Sequence, residues 1–126
     1  VHGRTSDKPA FYYYYAHPRP ALRADPTASV PSGAVHSAEI EYAMGNLNSN
    51  EVFAWTDDDR KVSQLMQEYF ANFIKAGDPN GPNLPKWPAY YSEPFFPRMT
   101  IDANTRLAPD TRRVRYQLLD AISGGE

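Results

Sequence analysis

The stretch 33–47 places one histidine and two glutamates where core residues would be expected. It reads GAVHSAEIEYAMGNL, with His36 in a turn of small residues and Glu39 and Glu41 in the short helix that follows. The positive end of a helix dipole disfavours a charged imidazole, and a neutral histidine can accept a proton near pH 7. His36 is therefore a candidate general base, while its position alone also fits a histidine satisfied by local hydrogen bonds. Glu39 and Glu41 lie two residues apart, so on a helix they point to different faces. Either one is buried against a polar partner while the other is solvated, or both are ordinary surface acids, and the sequence alone favours the second arrangement.

Two other acidic stretches have the composition of cation sites but are explained without a metal. Residues 57–59 are three aspartates that begin a helix, where acids interact favourably with the positive end of the dipole. Residues 78–81 resemble a calcium loop, but Ala89 stands where a bidentate glutamate would belong, so a turn is expected. The three histidines lack metal-ligand spacing. There is no G-x-S-x-G nucleophile motif and no glycine-rich phosphate loop in the sequence.

The elements around His36 follow from composition and spacing. Five consecutive aromatic residues, Phe11–Tyr15, predict a strand with large side chains on both faces, as in a sheet covered by helices on both sides. No partner strand is evident nearby. Four prolines make residues 17–35 an ordered loop. Ser37 is the expected N-cap of the short helix after His36, with apolar residues at 40, 43, 44 and 47.

The second half of the chain contains the clearest helix. Thr56 is the expected N-cap and Gly77 the left-handed residue at the end. Apolar residues follow at helical spacing: Val62, Leu65, Met66, Tyr69, Phe70 and Phe73. A short strand is expected over Met99 to Asp102. Asp110 is the expected cap of a final helix that ends near Gly124, with Val114, Leu118 and Ile122 facing inward and a basic run, Arg112, Arg113 and Arg115, facing solvent.

Composition limits the class of protein. The chain has 126 residues and a net charge of −2, which give no indication of disorder or of nucleic-acid binding. No apolar run approaches the length of a membrane helix. The 12 prolines are about twice the usual share, so the core is expected to be small. Because there is no cysteine, the compartment cannot be inferred. A start at Val1 suggests a processed chain or a piece of a longer one.

The order of these segments resembles the C-terminal part of the type-B carboxylesterase/lipase family, the α/β-hydrolases that include cholinesterases and bacterial para-nitrobenzyl esterases. Residues 33–42, GAVHSAEIEY, resemble the family signature G-x-x-H-x-x-E-[IL]-x-[FY]. An aromatic strand and a proline-rich loop precede it. A helix with the exit 77-GDPN-80, then 87-WPAY-90 and a closing helix after Arg106, follow it.

The resemblance implies an α/β fold class in which residues 1–126 form the C-terminal segment of a single α/β-hydrolase domain, incomplete by itself. His36 matches the general base of a Ser–His–Glu/Asp triad that hydrolyses carboxylic esters through an acyl-enzyme, without metal or organic cofactor. Glu39 matches a glutamate near the site, and a supporting role is expected. Val35 and Ala38 flank the histidine and are candidate residues of the pocket wall.

The chain departs from the family because only 35 residues precede His36. In the family, the serine elbow, the oxyanion-hole glycines and the triad acid lie far upstream, and neither Asp7 nor Asp25 matches the acidic position. The expected partners are therefore the upstream portion of the same domain and a small-molecule ester. The sample would be a nicked enzyme or an isolated fragment, and the chain alone is expected to be inactive.

Two alternatives come from other classes of protein. A non-catalytic, cholinesterase-like adhesion or interaction protein keeps the fold and loses the triad, and the complete histidine signature argues against it. A free-standing, aromatic-rich binding module requires the isolated chain to fold cooperatively. A serine elbow in the parent sequence favours the esterase over the adhesion protein.

Overall fold

The computed structural model describes residues 7–123, so Val1, His2 and Gly124 lie outside it. Strand β1 spans Tyr13–Tyr15 and helix α1 spans Glu39–Ala43, followed by a 3-10 turn over Leu47–Ser49. Helix α2 spans Asp57–Ala76. Strands β2 (Pro97–Ile101) and β3 (Arg106–Pro109) come next, and helix α3 covers Arg113–Ser123.

The three strands form one sheet in the order β1-β2-β3. The missing partner of the aromatic strand is β2, which runs parallel to it with Tyr13 opposite Met99 and Tyr15 opposite Ile101. Strand β3 pairs antiparallel to β2. The sequence analysis missed β3 and expected a closing helix after Arg106. The strand has only four residues, mostly exposed, so it lacks the apolar alternation by which a strand is recognised.

Helix α2 has the predicted beginning and end. The Thr56 hydroxyl accepts the Asp59 N–H at 3.2 Å, and the Thr56 N–H donates to Asp59 Oδ2 at 2.6 Å, which completes a capping box. Gly77 adopts φ 72° after the last turn, and its N–H donates to the Phe73 carbonyl. These are local backbone requirements, which explains why the sequence alone was sufficient to predict them.

The hydrophobic core lies between α2, α1 and the sheet. Tyr42, Met66, Tyr69, Met99 and Ile101 are fully buried in it. Aromatic rings join the layers at edge-to-face distances, for example Tyr13 to Phe70 at 5.9 Å and Tyr69 to Trp87 at 5.1 Å. The first face of β1 is thus covered by α2, as expected for a strand with large side chains on both faces.

The second face of β1 is covered partly by arginines. The guanidinium groups of Arg98 and Arg112 lie 4.9 and 5.0 Å from the ring centroid of Tyr14, which is itself partly exposed. Arg113 lies 3.8 Å from the ring centroid of Phe96. Of the basic run that was predicted to face solvent, Arg112 is exposed as predicted, whereas Arg113 is partly buried against the Phe96 ring.

Helix α1 differs from its prediction at the N-terminus. Ser37 has φ 61° in the turn before the helix, so Ala38 occupies the N-cap position and no side chain caps it. Ile40 and Met44 are exposed, whereas Tyr42 is fully buried and Leu47 is buried. The inward face is thus defined by Tyr42, a residue that the aliphatic pattern did not select.

Helix α3 also differs from its prediction. It begins at Arg113, and Asp110 accepts the Arg112 N–H at 3.1 Å just before it, as predicted for a cap, but Val114, Leu118 and Ile122 are 72%, 62% and 69% exposed. The expectation that these three residues face inward is therefore wrong within residues 7–123. The apolar spacing is real, but the described part of the chain offers no surface to cover it.

Candidate active site

His36 lies in the turn that immediately precedes helix α1. The Ala38 N–H donates to the Val35 carbonyl at 3.1 Å, and the left-handed conformation of Ser37 turns the chain into the helix. The His36 side chain is exposed. Within residues 7–123 no side chain hydrogen-bonds or forms an ion pair with its imidazole. The histidine is therefore held by its backbone while its ring is accessible to groups from outside the described chain.

Glu39 is half-buried in the first turn of α1, on the side of strand β1. Burial raises the pKa of Tyr13, and the negative charge of Glu39 raises it further. Burial also raises the pKa of Tyr15, which is influenced by Glu39 and by Asp59 as well. The carboxylate of Glu39 therefore acts electrostatically on the end of β1, from a position three residues after His36.

Glu41 has a polar partner, which is one of the two arrangements open to these glutamates from the sequence. Its Oε2 lies 2.8 Å from a guanidinium nitrogen of Arg19, and both side chains are largely buried. The Asn50 side-chain amide donates to the other carboxylate oxygen. This ion pair joins helix α1 to the start of the proline-rich loop.

The two candidate residues of the pocket wall lie in different surroundings. Val35 is exposed and lines a cavity of about 280 Å³. The cavity is mostly apolar, and Leu22, Val30 and Phe53 are among its other lining residues. Ala38 has no exposed surface and belongs to the hydrophobic core. A place for Val35 in a substrate pocket stays a prediction, whereas the burial of Ala38 indicates a packing role and does not favour contact with a ligand.

A buried polar network lies beneath helix α1, and the sequence analysis did not identify it. Asp59 is only 1% exposed, and its Oδ1 lies 2.9 Å from His17 Nε2 and accepts the Tyr42 hydroxyl at 2.6 Å. Burial raises the pKa of Asp59, but the hydrogen bonds from His17, Thr56 and Tyr42 outweigh it and lower the pKa to about 2. Burial and the bond to Asp59 raise the pKa of Tyr42, so its hydroxyl remains a donor.

A signal for this network was present in the sequence. Asp59 lies three residues before Val62 and seven before Met66, and therefore on the apolar face of α2. A carboxylate on that face must be buried, and a buried charge requires donors. The interaction of acids with the helix dipole explains Asp57 and Asp58, which are exposed, but it does not explain Asp59.

The other candidate acids have local partners. Asp25 accepts hydrogen bonds from the backbone N–H and the hydroxyl of Thr27, and Asp78 accepts the Asn80 N–H at 2.9 Å in the predicted turn. Among residues 7–123 no three His, Asp or Glu side chains are grouped so that they could hold a metal ion. Nor does that part of the chain contain a helix long and apolar enough to cross a membrane.

Comparison with known proteins identifies the family. A model described as "Carboxylesterase family" matches residues 1–119. Carboxylesterase 5A of Canis lupus familiaris is 38% identical over 91 residues, which cover 69% of this chain and 16% of that protein. Liver carboxylesterase 1 of Oryctolagus cuniculus is 34% identical over 108 residues, which cover 85% of this chain and 18% of that protein.

The solved structures give the fold. A thermophilic PNB esterase superimposes with a TM-score of 0.68 at 22% identity, over 88% of this chain and 22% of its own. A second PNB esterase gives a TM-score of 0.64 over 21% of its chain. The fold is that of part of an α/β-hydrolase domain, and the chain spans only 16–20% of the length of the first curated relatives it matches. The chain belongs to the carboxylesterase family.

Proposed function

We propose that this chain is the C-terminal segment of a carboxylic ester hydrolase and that His36 is the general base of its Ser–His–Glu/Asp triad. The observation that carries the proposal is the position of His36. It lies within the signature of residues 33–42, on a turn held by its backbone, with an exposed ring and no hydrogen-bond partner among residues 7–123.

The chemistry needs a histidine in this state. A neutral imidazole takes the proton of a serine hydroxyl as the oxygen attacks the ester carbonyl, and then protonates the departing alcohol. Water then attacks the acyl-enzyme: the imidazole takes a proton from the water and gives it to the serine oxygen as the carboxylic acid is released. The serine, the oxyanion-hole donors and the triad acid belong to the upstream portion of the domain, which is the proposed partner of this chain.

Three features support the existence of that partner. The apolar residues of α3 are exposed, and β1 is an edge strand with one side unpaired among the described residues. An exposed strand edge and an uncovered amphipathic helix both favour association with further protein. The third feature is the small share of each relative that the chain covers. These features support a domain that continues beyond this segment, and in this proposal residues 1–126 alone lack the nucleophile needed for turnover.

Glu39 and Val35 have subordinate roles in this proposal. Glu39 is half-buried in the first turn of α1, three residues after His36, and it raises the pKa of Tyr13 on β1. Val35 contributes one wall of the apolar cavity next to the turn. An apolar wall suits the hydrocarbon part of an ester, because burial of carbon surface contributes about 25 cal/mol per Å².

The parent protein provides the test. Incubation with a fluorophosphonate, followed by denaturing mass measurement, detects an activated serine, and we expect labelling of the wild type. His36→Gln should reduce the labelling rate by about 10³-fold or more. Met44→Gln is the matched control, because this exposed residue directly follows helix α1 and its replacement should leave the rate unchanged.

The contrary outcomes separate the alternatives. A parent protein that carries no reactive serine is the non-catalytic interaction protein. Labelling that is equally fast in His36→Gln assigns the base to another residue. Ester hydrolysis by the purified 126-residue chain, lost on replacing His36, would contradict the need for an upstream nucleophile.

A further inference from the structure

A single carboxylate, that of Asp59, holds together the two ends of the chain segment that carries His36. The chain leaves strand β1 at His17, runs through the proline-rich loop and the histidine turn, and returns to the core at Tyr42. The side chains at both ends of this segment meet the same atom. Asp59 Oδ1 lies 2.9 Å from His17 Nε2 and accepts the Tyr42 hydroxyl at 2.6 Å.

The other oxygen of Asp59 fixes the carboxylate to the start of helix α2. Oδ2 accepts the Thr56 N–H and the Thr56 hydroxyl, each at 2.6 Å. A second bond ties α1 to α2, because the Ser63 hydroxyl donates to the Tyr42 carbonyl at 2.8 Å. Helix α2 is the longest element of the described chain, so the two ends of the His36 segment are anchored to a rigid support.

A second cross-link lies just inside the first. Arg19 and Glu41 pair at 2.8 Å, two residues after His17 and one before Tyr42. The backbone of the loop is also held from outside, since the Arg23 N–H donates to the Val52 carbonyl at 2.9 Å. Both cross-links join positions more than 20 residues apart in sequence, and closing a loop of this length requires compensating contacts.

We propose that Asp59 is a positioning residue for His36: by holding His17 and Tyr42 on one oxygen, it closes the segment of residues 18–41 and fixes the direction in which the histidine turn presents its imidazole. This inference depends on the proposed function for its catalytic consequence. Helix α1 begins three residues after His36, so a shift of Tyr42 moves the turn. A displacement of about 1 Å of a reacting group lowers rates by up to about 10²-fold.

The experiment uses the full-length parent protein and two neighbouring variants. Asp59→Asn keeps the volume of the side chain and removes its charge. Asp58→Asn makes the same change one residue earlier, at an exposed side chain that forms an ion pair with Lys61 at 3.3 Å. Hydrolysis of para-nitrophenyl butyrate is measured per active site titrated with paraoxon, and amide hydrogen exchange is followed over residues 33–41.

In Asp59→Asn we expect kcat per titrated site to fall roughly tenfold to a hundredfold, with KM within twofold, and exchange over residues 33–41 to accelerate. Asp58→Asn should match the wild type in every measurement. A purely structural role would lower the number of titratable sites and leave kcat per site unchanged. That result, or unaltered exchange in Asp59→Asn, overturns the proposal.

A second variant covers the possibility that Asp59→Asn does not fold. Tyr42→Phe removes the hydroxyl but keeps the aromatic ring, which packs against Tyr15 and Trp55. It should lower kcat per site and accelerate the same exchange, to a smaller extent. If the wild type neither hydrolyses the ester nor reacts with paraoxon, the proposed function fails. The exchange measurement then decides by itself whether Asp59 closes the segment.

Discussion

Replacing Asp59 by asparagine should destabilise the folded parent protein in a pH-dependent way. An unperturbed aspartate has a pKa near 3.8, whereas the donors around Asp59 lower its pKa to about 2 despite its burial. This difference corresponds to about 2 kcal/mol of folding free energy at neutral pH. The amide of asparagine also replaces one acceptor oxygen by a donor, so one side of the former carboxylate loses hydrogen bonds, and this loss does not depend on pH.

The sign of the pH dependence follows from the lowered pKa. Because the folded state holds the ionised form more strongly than the unfolded state, the stabilisation is complete well above pH 4. It is lost as the pH falls through the folded pKa near 2, and about 1 kcal/mol should remain at pH 3. The free-energy difference between wild type and Asp59→Asn should therefore shrink between pH 7 and pH 3.

Urea denaturation of the parent protein at both pH values measures this difference. Asp58→Asn serves as the control and should change the free energy of unfolding by less than about 0.5 kcal/mol, because its ion pair is exposed. Two results would refute the reasoning. One is an Asp59→Asn variant as stable as the wild type at pH 7. The other is a loss of stability that is equal at pH 7 and pH 3.

Three further substitutions, the first with a matched control, test the fold. Gly77→Ala should lower the free energy of unfolding by about 1 kcal/mol, because φ is 72° at this residue. Gly33→Ala should be nearly neutral, because no atom lies within 4 Å of the added carbon. Equal urea midpoints for the two variants would contradict this prediction. Thr56→Ala should cost about 1–2 kcal/mol through loss of the cap, and thermal unfolding that is unchanged would exclude it. Leu118→Gln should lower the Tm of the parent protein, because burial of a leucine contributes about 2 kcal/mol; an unaltered Tm would mean that α3 stays uncovered.

Local rules predicted the elements whose boundaries depend on neighbouring residues. The capping box at Thr56 and the left-handed Gly77 involve residues within a few positions of one another, and both are present. The aromatic strand was predicted over residues 11–15 from composition and is present over Tyr13–Tyr15. In each case the physical cause is the backbone conformation or the hydrogen bonding of a single turn or strand. Such local features can be predicted from the residues of that segment alone.

Pairing and burial required the tertiary structure. Strand β1 pairs with β2, more than 80 residues later, and nothing in the local sequence specifies that partner. The apolar spacing of α3 predicted a buried face, which is wrong among residues 7–123, because burial needs a second surface that the described part of the chain does not supply. Strand β3 was missed because its short, exposed stretch depends on pairing with β2 for its conformation.

The sequence by itself determined the family resemblance and the candidate base, because the signature around His36 is a local string of residues. The arrangement that supports His36 was decided only by the fold. In the local sequence Asp59 is one of three acids at the start of a helix. Its proposed role depends on His17 and Tyr42, which lie 42 and 17 residues away. A buried carboxylate is stable only when distant donors converge on it, and their convergence is a property of the folded chain.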